Sequence, residues 1–135
     1  MTPDLTFLEA LLAAPGPSGF ETRAARVWRD EARTLTDEVS VDRSGNSIAT
    51  LNAQANPRVM LAGHIDEIGL QVTHIDDDGY LHISEIGGWD PQVLVGQRVK
   101  VLTRGGDLPG VIGRKAIHLM DSDDRSKAVR TRDLW

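Results

Sequence analysis

The 135-residue chain has no cysteine. That excludes a disulfide scaffold, a cysteine-based zinc site and a thiol nucleophile. It also lacks an excess of basic charge: 20 acids stand against 15 bases, a formal net charge of -5. Sequence-independent nucleic-acid binding depends on basic surface, so no nucleic-acid partner is expected. No window approaches the roughly 18 apolar residues of a membrane span, and no membrane partner is expected either. The opening Met1-Thr2-Pro3-Asp4 puts no basic residue ahead of its apolar segment, unlike a secretory signal. A cytoplasmic protein is the simplest reading. Repeats of solenoid length and low-complexity tracts are missing as well. What remains is globular in character, with 40% hydrophobic and 26% charged residues. The length suits one ordinary domain or two very small ones.

The first third reads as helical. Thr2 can cap a helix and Pro3 suits its first position, where the missing donor is not needed. Leu5, Leu8, Leu11 and Leu12 then fall on one helical face. Pro15-Gly16-Pro17 ends that helix. Ser18-Gly19-Phe20-Glu21 has capping-box spacing, and a second helix is expected to run to about Leu35. Its apolar stripe would be Ala24, Val27, Trp28, Ala32 and Leu35.

Strand patterns follow. Glu38 to Asp42 and Asn46 to Leu51 alternate around the turn Arg43-Ser44-Gly45-Asn46. Behind Asn56-Pro57, the apolar run Val59-Met60-Leu61-Ala62 reads as a short buried strand that ends on Gly63-His64-Ile65-Asp66-Glu67. After Gly69 the texture becomes β-rich. Gln71 to Ile75 and Tyr80 to Ile86 flank Asp76-Asp77-Asp78-Gly79, a strong hairpin turn. Arg98 to Leu102 and Leu108 to Gly113 flank a second turn, Arg104 to Asp107. This short, regular spacing predicts a small β-barrel or sandwich. A helix of about two turns is expected within Asp121 to Val129, and Trp135 closes what looks like an interrupted strand.

His64 and Asp66 are the candidate site. Imidazole is a common ligand for zinc and related metals, and a carboxylate two residues on can orient it. The flanking Gly63 and Gly69, the adjacent Glu67 and the expected strand end favour a site over a chance pair. The second pair, His74 and Asp76, is explained by turn chemistry. The acidic turn lacks a calcium loop's downstream glutamate. His82 reads as a solvent-facing strand residue and His118 as a surface histidine in a loop. Gly87-Gly88 and Gly105-Gly106 lack a phosphate-loop pattern and read as turns. Glu67 could serve as a general base, but one motif cannot assign it. A hydrolytic metal site needs about three protein ligands, and this chain offers one convincing ligand.

The run Ala62-Gly63-His64-Ile65-Asp66-Glu67-Ile68-Gly69, followed by Val72-Thr73-His74-Ile75, closely resembles the M42 family of metallo-aminopeptidases. That family includes glutamyl aminopeptidases, the tetrahedral TET peptidases and members once labelled endoglucanases. The likeness extends through Ile86-Gly87-Gly88-Trp89-Asp90-Pro91, Val95 to Val99, Leu108 to Gly113, His118-Leu119 and Asp133-Leu134. Upstream, Pro17-Ser18-Gly19-Phe20-Glu21 and Asp42-Arg43-Ser44-Gly45-Asn46 share it.

The resemblance implies an α/β fold. Residues 1–68 would be the N-terminal part of a catalytic α/β domain, and residues 69–135 an inserted β-rich, dimerisation-type domain that need not be complete. It implies two divalent metals in the complete enzyme, zinc or cobalt, with His64 as a metal ligand and Asp66 as the catalytic carboxylate that orients it. Peptide substrates and a homo-oligomer, from dimer to dodecamer, are implied too. The remaining ligands and the catalytic glutamate lie further along family chains, so this chain alone is expected to be inactive. Alternatives are a non-catalytic self-association module and, last, a glycoside hydrolase, for which no carboxylate pair can be argued. Trp89 is expected to pack against neighbouring strands.

Overall fold

In the computed structural model, which describes residues 4–135, the first helix starts from Asp4. Asp4 Oδ1 accepts the Thr6 amide at 2.9 Å, satisfying a donor that the helix leaves unpaired, and α1 runs over Thr6–Ala13. The expected cap at Thr2 and proline at Pro3 lie outside the described residues. Among the leucines of the α1 stripe, Leu12 is 75% exposed, and none of its residues is buried. The apolar face is real in sequence and uncovered in this chain.

The expected capping box does not form. Helix α2 spans Thr22–Ala32, with Glu21 at the cap position. Glu21 turns its carboxylate back onto the Gly19 amide, and the Ser18 hydroxyl goes elsewhere. Ala24, Ala25 and Ala32 are the buried residues of α2. Leu35 lies beyond the helix end and is exposed. The neighbouring hairpin pairs β1, Val39–Val41, with β2, Ser47–Ala49, antiparallel. Its turn is tied by Asp42, whose Oδ1 accepts the amides of Ser44 and Asn46, both at 2.9 Å. Gly45 supplies the positive φ of +89° that this turn needs. Arg29 Nη1 on α2 donates to Ser47 Oγ at 3.0 Å, joining helix to hairpin.

The strand expected at Val59-Met60-Leu61-Ala62 is not formed. These residues carry no regular secondary structure, and Val59, Met60 and Leu61 are 79%, 87% and 94% exposed. A strand exists only through its ladder, and no described segment pairs with this one.

The chain divides into two units, Met1–Glu67 and Ile68–Trp135. In the second, β3, Gly69–Ile75, pairs antiparallel with β4, Leu81–Ile86, and β5, Arg98–Thr103, with β6, Gly106–Val111. Asp76 anchors the first turn: its Oδ1 accepts the amides of Asp78 at 3.1 Å and Tyr80 at 2.9 Å. The described strands make three two-stranded sheets, so the expected barrel or sandwich is not closed by any ladder between hairpins. Side chains hold this unit instead. Leu94, Ile112 and Leu134 form its buried centre, with Leu70, Ile83, Trp89 and Val99 packed around them. Trp89 packs as expected, and its indole Nε1 donates to the Gly69 carbonyl at 2.9 Å.

The expected helix in the last segment is one turn, α3, Ser122–Arg125. The chain then returns to the core. Gly113 donates to the Trp135 carbonyl at 2.7 Å, and Arg114 and Leu134 form an isolated antiparallel bridge. Among the described residues, no helix is long and apolar enough to cross a membrane.

Candidate metal-ligand site at His64 and Asp66

His64 does not sit at a strand end. It lies on the irregular segment before Glu67, and its position is set by a clamp from the loop between α1 and α2. Glu67 donates its amide to the Gly16 carbonyl at 2.9 Å, and the Ser18 amide donates to the Glu67 carbonyl at 3.1 Å. Glu67 Oε1 accepts the Gly16 amide at 2.9 Å. Pro17 and Glu67 thus form a single parallel bridge. The carboxylate that sequence reasoning weighed as a general base is here a structural acceptor.

Within this clamp, Asp66 divides its two oxygens. Oδ1 lies 3.0 Å from His64 Nδ1, and Oδ2 accepts the Ser18 hydroxyl. The backbone carbonyl of Asp66 is 3.1 Å from the same Nδ1. The Ser18 hydroxyl foremost, and the His64 ring after it, hold the Asp66 carboxyl below its ordinary value of 3.8. Asp66 is therefore ionised at neutral pH and can only accept. Both neighbours of Nδ1 are acceptors, so Nδ1 carries the ring proton. When the ring is neutral, Nε2 is then the lone-pair nitrogen, on a side chain that is 86% exposed.

That arrangement fits a metal ligand: a neutral imidazole, its tautomer fixed by a carboxylate, with the other nitrogen open. It supplies one ligand. Among the described residues, no group of three His, Asp or Glu side chains could hold a metal ion.

The other sequence candidates fall elsewhere. His74 and His82 face each other across the first β-rich hairpin, ring centroids 5.7 Å apart. His82 Nε2 lies 3.1 Å from Asp76 Oδ2, so His82 is a partner of the turn carboxylate rather than a free strand residue. His118 is exposed on a one-turn 3-10 segment, Ile117–Leu119. Sequence reasoning missed Ser18 and Gly16. The available signal was the run Pro17-Ser18-Gly19-Phe20-Glu21, whose local spacing points to a helix cap.

Residues 45–135 match the family described as M42 glutamyl aminopeptidase. The chain is 40% identical over 117 residues to the lysyl aminopeptidase of Pyrococcus furiosus, an overlap of 86% of this chain and 34% of that protein. It is 33% identical over 116 residues to the glutamyl aminopeptidase of Lactococcus lactis subsp. cremoris, covering 84% of this chain and 33% of the relative. Among solved structures, it is similar to a TET aminopeptidase from a marine sediment archaeon of the Thaumarchaeota, with a TM-score of 0.86, 40% identity, and coverage of 96% of this chain and 37% of that one. It also resembles the Pyrococcus horikoshii TET1 peptidase, described as able to assemble into a tetrahedron or a large octahedral shell, with a TM-score of 0.75, 35% identity, and coverage of 96% and 39%. The chain spans about a third of the length of the curated relatives it matches. With a family match over more than half of its residues, the chain belongs to the M42 glutamyl aminopeptidase family.

Proposed function

We propose that these residues are the amino-terminal part of a metal-dependent aminopeptidase that releases N-terminal residues from peptides. The observation that carries this reading is the His64–Asp66 pair, with Nδ1 held at 3.0 Å and the opposite ring edge open, inside a family motif. In the complete enzyme His64 would bind one of two divalent metals, zinc or cobalt, through Nε2. Asp66 would hold the ring in its ligating tautomer. Metals in such a site activate water and polarise the scissile carbonyl. Glu67 binds Gly16 and is given no part in proton transfer.

The distribution of apolar surface supports a partial catalytic domain in residues 1–68. The faces of α1 and the segment Val59-Met60-Leu61 are exposed, as expected of elements whose neighbours come from further chain. Residues 69–135 would form the inserted β-rich domain, and homo-oligomeric assembly is assigned to it by analogy with the TET relatives. A cytoplasmic location fits the same reading. With one candidate ligand among the described residues, the 135-residue chain alone is expected to be inactive.

The coding sequence beyond the Trp135 codon tests this. Continuation in frame into further His and Asp positions and a Glu-Glu pair supports the enzyme. A stop codon there, in the native gene, would overturn it in favour of a non-catalytic remnant.

A further inference from the structure

Asp66 can hold His64 in one orientation only if Asp66 is itself held. Its backbone is fixed by the neighbouring Glu67, which pairs with Gly16 and Ser18 through three hydrogen bonds of 2.9, 2.9 and 3.1 Å. That loop is in turn seated on α2: Gly16 is buried, and a Cβ built there would lie 3.1 Å from Ala24 Cβ. The carboxylate still has a free torsion. Rotation about it would exchange the two oxygens or swing both away from the ring. The Ser18 hydroxyl stops this rotation by occupying Oδ2, which leaves Oδ1 for His64 Nδ1.

We propose that Ser18 is a positioning residue for His64: its hydroxyl, delivered by the α1–α2 loop, orients Asp66 so that Asp66 fixes the Nδ1–H tautomer and leaves Nε2 for a metal. The relay runs from α2 through Gly16 and Ser18 to Asp66 and His64, all within Met1–Glu67. Ser18 touches neither metal nor substrate in this scheme. Its importance to metal binding rests on the aminopeptidase reading, whereas its control of the His64 tautomer does not.

The test is the tautomer itself, read by long-range proton–nitrogen correlation on the 15N-labelled 135-residue chain at a pH where the ring is neutral. The wild type should show a protonated Nδ1 and a bare Nε2. Ser18→Ala should lower the ratio of Nδ1–H to Nε2–H tautomer roughly fivefold, the equivalent of one ordinary hydrogen bond. Ser18→Thr, which keeps the hydroxyl, should restore it. A folded Ser18→Ala with an unchanged ratio, or a wild type already in the Nε2–H form, would overturn the proposal. Should Ser18→Ala unfold residues 1–67, Ser18→Cys takes its place, with similar shape and a much weaker donor, and the same two outcomes decide. A change in overall stability alone would not move the tautomer. The readout also needs no metal and no turnover, so its failure is separate from failure of the peptidase assignment.

Discussion

Asp66 gives Oδ1 to His64 Nδ1 at 3.0 Å, while Glu67, its neighbour, gives Oε1 to the Gly16 amide at 2.9 Å. Adjacent carboxylates therefore have different work. In the complete enzyme, Asp66→Ala should lower metal affinity or activity by about 10–100-fold, as loss of a ligand-orienting partner does. Glu67→Ala should chiefly lower stability. Metal content after dialysis, measured alongside melting temperature, separates the two. Equal metal loss in both variants would contradict this division.

Gly87 is required twice over. Its φ is +82°, and a Cβ there would lie 2.5 Å from Ile68 Cγ2 and 3.2 Å from Ile68 Cβ. Gly88 has neither constraint. Gly87→Ala should cost about 1–3 kcal/mol. The melting temperature should fall by about 4–8 °C for each kcal/mol in a unit of this size. Gly88→Ala, the control, should fall by much less.

Leu134 is 1% exposed and sits with Leu94 and Ile112 at the centre of the second unit. Leu134→Ala removes three carbons from a small core and should destabilise residues 68–135 by about 2–5 kcal/mol. Leu134→Met, which conserves volume, should cost less than about 1.5 kcal/mol. Denaturant titration followed by amide signals from β3 to β6 distinguishes them.

Asp76 gives the first β-rich hairpin an acid dependence. The Tyr80 amide foremost, then the His82 ring and the Asp78 amide, hold its carboxyl below the ordinary value of 3.8. A depressed carboxyl contributes stability above its unfolded value and loses that contribution as pH falls through the folded value. The turn should therefore loosen below about pH 3.8, seen as movement of the Asp78 and Tyr80 amide resonances. Asp76→Asn should abolish this step.

How much of this was legible follows from the range of each interaction. The turns at Asp42 and Asp76 read correctly because each aspartate binds amides two and four residues on. The His64–Asp66 pair is equally local, two residues apart. Ser18 was misread because its partner lies 48 residues away, while a helix cap is the nearest use for a serine with that spacing. The strand at Val59-Met60-Leu61-Ala62 was expected from apolar content alone. Apolar content marks a segment that can be buried, and pairing needs a neighbour that the described residues do not provide. Strand spacing likewise located both hairpins and could not specify whether a ladder joins them.

Hydrolysis of aminoacyl-p-nitroanilides, measured with added zinc or cobalt and with chelator, tests the central claim most directly when the 135-residue chain and the complete protein are assayed side by side. Chelator-sensitive hydrolysis is expected only from the complete protein, and it should be lost in His64→Ala. Chelator-sensitive hydrolysis by the 135-residue chain alone, or full activity of the complete protein carrying His64→Ala, would contradict the account.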